Sequence, residues 1–198
     1  MSLTQDKIVL VSGSLDGVVN LWEIESDPGQ DSSPFRTDPS RSLTVENGAI
    51  WGIAICPNSE RIAVATREGW LSLWSREGEL LKQIQVAEDE GLTRLDWSPD
   101  GQLLAVGRVD SRIDLYRIGA GVEVELLTRL VGHESEVTTV AFSPDGDFMM
   151  SGGQDRLGIR WHLETILSVD LMQVGCDRIR DYLRQGTRKY LRREVCGH

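Results

Sequence analysis

The sequence has few of the residues on which catalytic and metal sites depend. Only three histidines and three cysteines occur in 198 residues. The cysteines, Cys56, Cys176 and Cys196, lack the paired spacing of a zinc site, and an odd, scattered set is typical of a protein that stays reduced. We therefore expect no metal and no cofactor, and we expect a cytoplasmic location.

Long apolar runs and an excess of basic residues are also absent. The N-terminal stretch contains only the short apolar run Ile8–Val11, too short for the core of a signal peptide, and no run reaches the length of a membrane helix. Lys and Arg number 21 against 31 Asp and Glu, which gives a net charge of −10. Binding to nucleic acid or to an anionic membrane depends on a basic face, so the sequence predicts neither.

What the sequence does have is a repeat. The tetrapeptide SPDG at Ser98–Gly101 recurs 45 residues later at Ser143–Gly146, and a degenerate copy, CPNS, lies 42 residues earlier at Cys56–Ser59. An aromatic residue follows in each unit, and an acidic residue precedes that aromatic by six positions. The aromatics are Trp22, Trp74, Tyr116 and Trp161, and the acids are Asp16, Glu68, Asp110 and Asp155. This period indicates a repeat architecture.

The last copy indicates how the unit folds. Residues 137–142 alternate apolar and polar side chains, as half-buried strands do. The tetrapeptide SPDG then predicts a turn, because proline presets a negative φ and glycine accepts a positive one. Two more short runs follow, separated by a second turn. Applied to every copy, the pattern predicts strands at Ile8–Val11, Val18–Ile24, Arg41–Val45, Ile50–Ile55, Arg61–Thr66, Trp70–Ser75, Leu80–Gln85, Leu92–Trp97, Leu103–Gly107, Arg112–Ile118, Glu123–Leu130, Val137–Phe142, Asp147–Gly152 and Leu157–His162.

These units resemble WD repeats. The matching residues of the last copy are Gly132-His133 at its start, SPDG after its first strand, Ser151-Gly152 with Asp155 after its second, and Trp161. The resemblance implies an all-β propeller of four-stranded blades. It also implies a structural hydrogen-bond relay through the side chains of His133, Ser151, Asp155 and Trp161.

The earlier copies depart from the WD-repeat pattern. None of them has the histidine, and valine replaces the relay serine at Val64 and Val106. We therefore expect a complete relay in the last blade only. The acids Asp16, Glu68 and Asp110 are retained, and we expect them to organise their turns locally.

The predicted strands add up to about three and a half blades, over residues 8–45, 46–88, 89–130 and 131–167. Residues 26–40 hold three of the six prolines and form a polar insertion in the first blade. A closed propeller needs about four to eight blades. We therefore expect residues 1–167 to be the C-terminal part of a larger propeller. A four-bladed ring, and a ring closed by self-association of two copies, are the alternatives.

Residues 168–198 differ in composition from the repeats and carry seven basic and four acidic side chains. Their pattern predicts an amphipathic helix from about Ser168 to Gln185, packed on the last blade. The stretch VGCDRIRDYL at residues 174–183 resembles the ending found after WD repeats in bacterial, notably cyanobacterial, signal-transduction NTPases. That resemblance implies an NTP-hydrolysing domain outside this chain, because no phosphate-binding loop motif occurs here.

We predict a non-catalytic scaffold for protein–protein interaction. The resemblance implies that partners meet the narrow face of the propeller, at the positions of Trp51, Arg67, Glu136 and Gln154. Trp51 is the strongest candidate, since aromatic residues dominate binding hot spots, and packing between blades is its alternative role. A sensor or regulatory arm of a signal-transduction NTPase is the alternative function. A propeller hydrolase, which would need several inward histidines or carboxylates, is the remote one.

Overall fold

The computed structural model describes residues 7–25, 38–46, 48–57, 61–88 and 90–168. These residues form four antiparallel sheets. Blade one is β1 (Lys7–Gly13), β2 (Val18–Glu25) and β3 (Arg41–Thr44), and blade two is β4 (Ile50–Ile55), β5 (Arg61–Thr66), β6 (Trp70–Ser75) and β7 (Leu80–Gln85). Blade three is β8 (Leu92–Trp97), β9 (Leu103–Arg108), β10 (Arg112–Ile118) and β11 (Val124–Val131), and blade four is β12 (Val137–Phe142), β13 (Phe148–Gly153) and β14 (Gly158–His162).

The predicted all-β fold of about three and a half blades is confirmed. Within each sheet the strands lie in chain order, so every connection joins neighbouring strands. Several strand ends differ from the prediction by one or two residues, and at the start of β11 the reason is that Glu123 belongs to the preceding turn. The Gly119 N–H donates to the Glu123 carbonyl at 2.9 Å, and Val122 in this turn has a φ of 65°. The strand therefore begins at Val124.

The SPDG turns follow from hydrogen bonds within the tetrapeptide. In the first, the Gly101 N–H donates to the Ser98 carbonyl at 2.8 Å, and Gly101 has a φ of 70°. The Ser98 hydroxyl donates to Asp100 at 2.5 Å and accepts from the Leu103 N–H at 2.8 Å. Ser143 and Asp145 repeat this pattern in blade four. In each of the two turns, the hydrogen bonds of the serine, the aspartate and the backbone close the hairpin before its second strand begins.

The core lies between neighbouring sheets. One cluster, which includes Leu71, Leu92 and Leu104, fills the space between blades two and three. A second, which includes Val19 and Ile62, lies between blades one and two. The first strands of blades two, three and four lie side by side, and the Thr93 hydroxyl on β8 donates to the Val137 carbonyl on β12 at 2.5 Å.

The chain divides into two compact units, Met1–Trp161 and His162–His198. In the second unit the structure describes a short helix, α1 (Leu163–Ser168), directly after β14. The sequence analysis did not predict this helix. The helix predicted over residues 168–185 lies outside the described residues except for Ser168. Cys176, Cys196 and most of the insertion at residues 26–40 lie outside them too. The domain boundary after residue 167 stays a prediction.

Candidate functional site

The structure brings the four predicted relay side chains of blade four into one hydrogen-bond chain. Nδ1 of His133 lies 2.9 Å and 3.1 Å from the two Asp155 carboxylate oxygens, and Nε2 lies 2.8 Å from the Ser151 hydroxyl. The Trp161 indole N–H donates to the same hydroxyl at 2.8 Å. A proton on Nδ1 gives every group a matching partner, because the hydroxyl then donates to Nε2 and accepts from the indole.

The Asp155 carboxylate also fixes the surrounding backbone. It accepts from the Glu134 N–H at 2.9 Å and from the Leu157 N–H at 3.0 Å. Burial raises the pKa of this carboxyl, but these two bonds and the one to His133 lower it below its ordinary value. Asp155 is therefore held as an anion that joins the start of the blade to its second turn.

The Ser151, His133 and Asp155 side chains have the composition of a hydrolase triad, but their geometry serves the fold. Ser151 is 3% exposed, and its oxygen accepts from the Trp161 indole. A nucleophile has to reach a substrate with a free lone pair. This hydroxyl is enclosed and already engaged on both sides.

In blade two, where Val64 occupies the position of the relay serine, a serine on the neighbouring strand supplies the hydroxyl. The Trp74 indole N–H donates at 2.8 Å to the hydroxyl of Ser72, which lies on β6 opposite Val64 of β5. The hydroxyl thus comes from the strand of the aromatic itself. The sequence analysis missed Ser72, although its position two residues before Trp74 puts both side chains on one face of the strand.

Blade three contains a second hydrogen-bond chain, built from other residues. The Arg108 guanidinium lies between two carboxylates, since Nε donates to Asp110 at 3.0 Å and Nη1 donates to Asp114 at 3.1 Å. Asp114 accepts in turn from the Tyr116 hydroxyl at 3.2 Å and from Nε of Arg129 at 3.0 Å. We call this set of five side chains the blade-three network.

Blade three lacks the histidine and the serine of the relay, but it has a hydrogen-bond chain of its own. In blade three, too, the turn acid connects to the aromatic residue, with Arg108 in place of the histidine and Asp114 in place of the serine. Arg108 comes from the second strand, and Asp114 comes from the third, opposite Val106. The strand register was the signal that could have revealed this network, because it places Arg108 of β9 and Asp114 of β10 at inward positions.

Burial determines the electrostatics of the blade-three network. The Arg108 side chain is 7% exposed and that of Asp114 is 0% exposed. Burial opposes the charge on Arg108, but Asp110 and Asp114 raise its pKa above the ordinary value. Burial likewise opposes the charge on Asp110, whose pKa is lowered by the hydrogen bonds from Arg108. Burial, followed by the negative charge of Asp114, raises the pKa of Tyr116.

Three of the four turn acids accept a hydrogen bond from the backbone of their own turn. Asp16, Asp110 and Asp155 each accept from the backbone N–H two residues further on, at 3.0–3.3 Å. In blade two the corresponding N–H, that of Trp70, donates instead to the Thr66 hydroxyl at 3.2 Å. Glu68 lies at this turn with its carboxylate beside Gly48. The glutamate is longer by one methylene, and the threonine takes over its contact.

The residues predicted to bind partners fall into two pairs. The Arg67 guanidinium lies over the Trp51 ring, 5.4 Å from its centroid. The Gln154 side-chain amide donates to the Glu136 carboxylate at 2.6 Å. Trp51 is half-buried and Arg67 is exposed, so their stacked faces are open to solvent on one side.

Trp51 and Glu136 line one concave pocket of about 610 Å³, to which every blade contributes. We call it the four-blade pocket. It lies where the first strands of blades two to four begin, beside the turn after β1. Its lining includes Leu15 of blade one, Trp51 of blade two, Thr93 and Arg94 of blade three, and Glu136 and Thr138 of blade four. Among the described residues, no cluster of three or more His, Cys, Asp or Glu side chains is arranged to hold a metal ion.

Comparison with known families agrees with the repeat and the blade geometry. The family model of the WD domain, G-beta repeat, matches residues 124–161. The model of the anaphase-promoting complex subunit 4 WD40 domain matches residues 53–131. The two matches together extend over residues 53–161, more than half of the chain.

The chain belongs to the WD-repeat family. It is 35% identical over 127 residues to a WD repeat-containing protein of Synechocystis sp., a match that covers 61% of this chain and 35% of the relative. It is 28% identical to a probable cytosolic Fe-S cluster assembly factor of Schizosaccharomyces japonicus, over 58% of this chain and 19% of that protein. This WD-repeat chain thus spans well under half the length of these relatives.

A solved structure shares the fold. A chain in the crystal structure of the mitotic checkpoint complex matches with a TM-score of 0.64 and 21% identity, over 78% of this chain and 45% of that one. At this identity the likeness shows the WD-repeat fold alone. None of the helices among the described residues has the length and apolar character needed to cross a membrane.

The register of the WD repeats identifies residues that the sequence analysis did not single out. Arg67 and Gln154 each precede a turn acid, and Leu15 and Val109 occupy the same position in blades one and three. Leu15 is 73% exposed and Val109 is 37% exposed. Arg94 was missed as well, because it belongs to the strand β8 and has no counterpart among the motif residues. Its Nη1 donates to the Trp51 carbonyl at 2.9 Å.

Proposed function

We propose that this chain is a non-catalytic scaffold that binds another protein through the four-blade pocket. The observation that carries the proposal is the convergence of all four blades on one concave surface with an exposed leucine, a stacked Trp51–Arg67 pair and polar side chains. Aromatic residues and arginine in such partly enclosed places contribute most of the binding energy at protein interfaces.

The similarities support this proposal in outline. One relative is named for the assembly of Fe-S clusters, and the solved structure with the same fold is a complex of several proteins. The hydrogen bonds of blade four support its non-catalytic part, because they engage Ser151, His133 and Asp155 in holding that blade together.

Selection of binding peptides on the full-length chain tests the proposal. A displayed library of random peptides would be selected on the immobilised protein, and the affinity of each selected peptide measured by fluorescence anisotropy. We expect Trp51→Ala to weaken binding about tenfold or more, because hot-spot truncations cost about 2 kcal/mol and upward.

The matched control is Phe148→Ala. Phe148 is also half-buried under an arginine, with Arg160 lying 4.1 Å from the ring centroid, but it is outside the four-blade pocket. Peptides that bind Trp51→Ala as tightly as the unaltered protein, or that respond equally to both substitutions, would contradict the proposal. Failure to select any peptide would contradict it too.

The more specific hypotheses about function depend on residues that the structure does not describe, or on a second copy of the chain. The regulatory arm of an NTPase depends on the resemblance of residues 174–183, and these lie outside the described residues. That function, a bacterial origin, ring closure by self-association and the cytoplasmic location stay predictions. Sedimentation of the purified protein measures the self-association directly.

A further inference from the structure

One arginine, Arg94, lines the four-blade pocket, and a second, Arg67, lies over the ring of Trp51, which lines the pocket too. Neither Arg67 nor Arg94 forms an ion pair with an acidic side chain of the described residues. Arg94 is exposed, and one of its five N–H groups donates to a carbonyl. The others are available to a ligand, in the planar fork that suits a carboxylate.

The acidic residues nearby are already engaged. The Glu136 carboxylate accepts from the Gln154 amide at 2.6 Å, and the Asp16 carboxylate accepts from the Ser14 hydroxyl and the Val18 N–H. A side chain that binds next to Arg94 therefore meets arginine N–H donors, and the Glu136 carboxylate, which also lines the pocket, is hydrogen-bonded to Gln154. The net charge of −10 acts over longer distances, and salt screens it beyond about 8 Å at physiological ionic strength.

Beside the arginines the pocket is apolar. Leu15 projects from blade one with 73% of its surface exposed, and Ile50 and Trp51 line the adjoining wall. An aliphatic side chain placed here would bury surface against all three residues. The pocket thus offers a site for a negative charge next to a site for an apolar group.

We propose that the four-blade pocket recognises a segment of a partner protein in which an Asp or Glu lies beside an aliphatic residue. The carboxylate binds the guanidinium of Arg94, with Arg67 adding positive charge above Trp51, and the aliphatic side chain packs against Leu15. This inference rests on the proposed function and adds the chemistry of the partner to it.

The test compares short synthetic peptides that share one sequence and differ at a single position before a leucine. That position carries Glu, Gln, Lys or phosphoserine, and binding to the full-length chain is measured by fluorescence anisotropy. We expect the Glu peptide to bind about tenfold more tightly than the Gln peptide, as a charge-assisted hydrogen bond predicts. Arg94→Gln should remove that difference, and Arg94→Lys should retain part of it.

Arg117→Gln is the control, since Arg117 is also exposed, carries the same charge and lies away from the pocket. It should leave the preference for Glu unchanged. Equal binding of the Glu and Gln peptides, a preference for Lys, or much tighter binding of phosphoserine would overturn the inference. If those peptides still bind more weakly to Trp51→Ala, the proposed function stands and only the inference about the acidic residue fails. If neither Trp51→Ala nor Arg94→Gln changes binding, the proposed function and the inference both fail.

Discussion

At the scale of single residues, two kinds of hydrogen-bonded side chains connect the turn acid of a blade to its aromatic residue. Blade four uses the neutral hydroxyl of Ser151 next to an imidazole, and blade three uses the ion pair of Arg108 with Asp114. The WD-repeat motif predicted the first, because the residue types match the pattern one by one. It could not predict the second, because charged residues inside a short strand resemble those of an exposed face until the strand register is known.

The blade-three network leads to a prediction about stability. Asp114→Asn removes the negative charge that faces two arginines at a fully buried position. We expect the free energy of unfolding to fall by about 1–3 kcal/mol, because Arg108 loses one of its two charged partners while Asp110 remains bound to it. Urea denaturation at neutral pH measures this change.

Two further variants make the Asp114 prediction specific. Glu125→Gln breaks the exposed pair between Arg117 and Glu125 and should cost no more than about 1 kcal/mol. Replacing Arg108 and Asp114 together by apolar residues should not recover the loss, because Asp110 and Arg129 then lose these charged partners. If Asp114→Asn is as mild as Glu125→Gln, the network does not stabilise the blade.

At the scale of strands and turns, the sequence was most informative where a turn has a local cause. The ends of β4 to β8 agree with prediction, and two of the turns between them contain a glycine with a positive φ, Gly69 and Gly78. β11 begins one residue later than predicted, at Val124, after a turn in which Val122 has a positive φ. A β-branched residue rarely adopts a positive φ, so the sequence did not indicate this turn. Contacts between strands of different blades were also hidden, since they depend on how the sheets pack.

Asp96 of β8 makes one such contact with blade four. It leads us to expect that part of the protein's stability falls as the pH rises. Its carboxylate accepts from the Phe142 N–H of β12 at 2.8 Å. Burial raises its pKa above the ordinary value of 3.8, although hydrogen bonds from the Phe142 and Trp97 N–H groups oppose this. The folded state therefore binds a proton more tightly than the unfolded state, so the ionised group costs stability at neutral pH.

We expect Asp96→Asn to stabilise the protein at neutral pH, because the amide oxygen keeps the bond to Phe142 without a buried charge. The gain should fade as the pH falls towards 3.8, where wild-type Asp96 becomes neutral as well. Asp145→Asn is the opposite case, since the Ser143 hydroxyl and the Asp147 N–H lower the pKa of Asp145. It should destabilise at neutral pH and less so in acid, and melting temperatures measured across this pH range would show whether the two variants differ in sign.

At the scale of the whole repeat array, stability depends on how closely the first strands of neighbouring blades approach one another. The spacing of the repeats predicted the number of strands and their order, but it carried no information on this distance. Gly52 of β4 shows why a particular residue matters there. A Cβ at this position would lie against the carbonyl oxygen of Thr93 and 3.3 Å from the Arg94 Cα, both in the backbone of β8.

Gly52→Ala should therefore separate blades two and three locally and lower the free energy of unfolding by about 1–3 kcal/mol, as overpacking does. Backbone atoms cannot rotate away as a flexible side chain can, so relief requires one sheet to move against the other. Gly158→Ala is the control, because the nearest atom to its added Cβ is the Ser151 carbonyl oxygen at 4.0 Å. Urea denaturation in which both variants match the unaltered protein would mean that blades two and three are not in contact at this point.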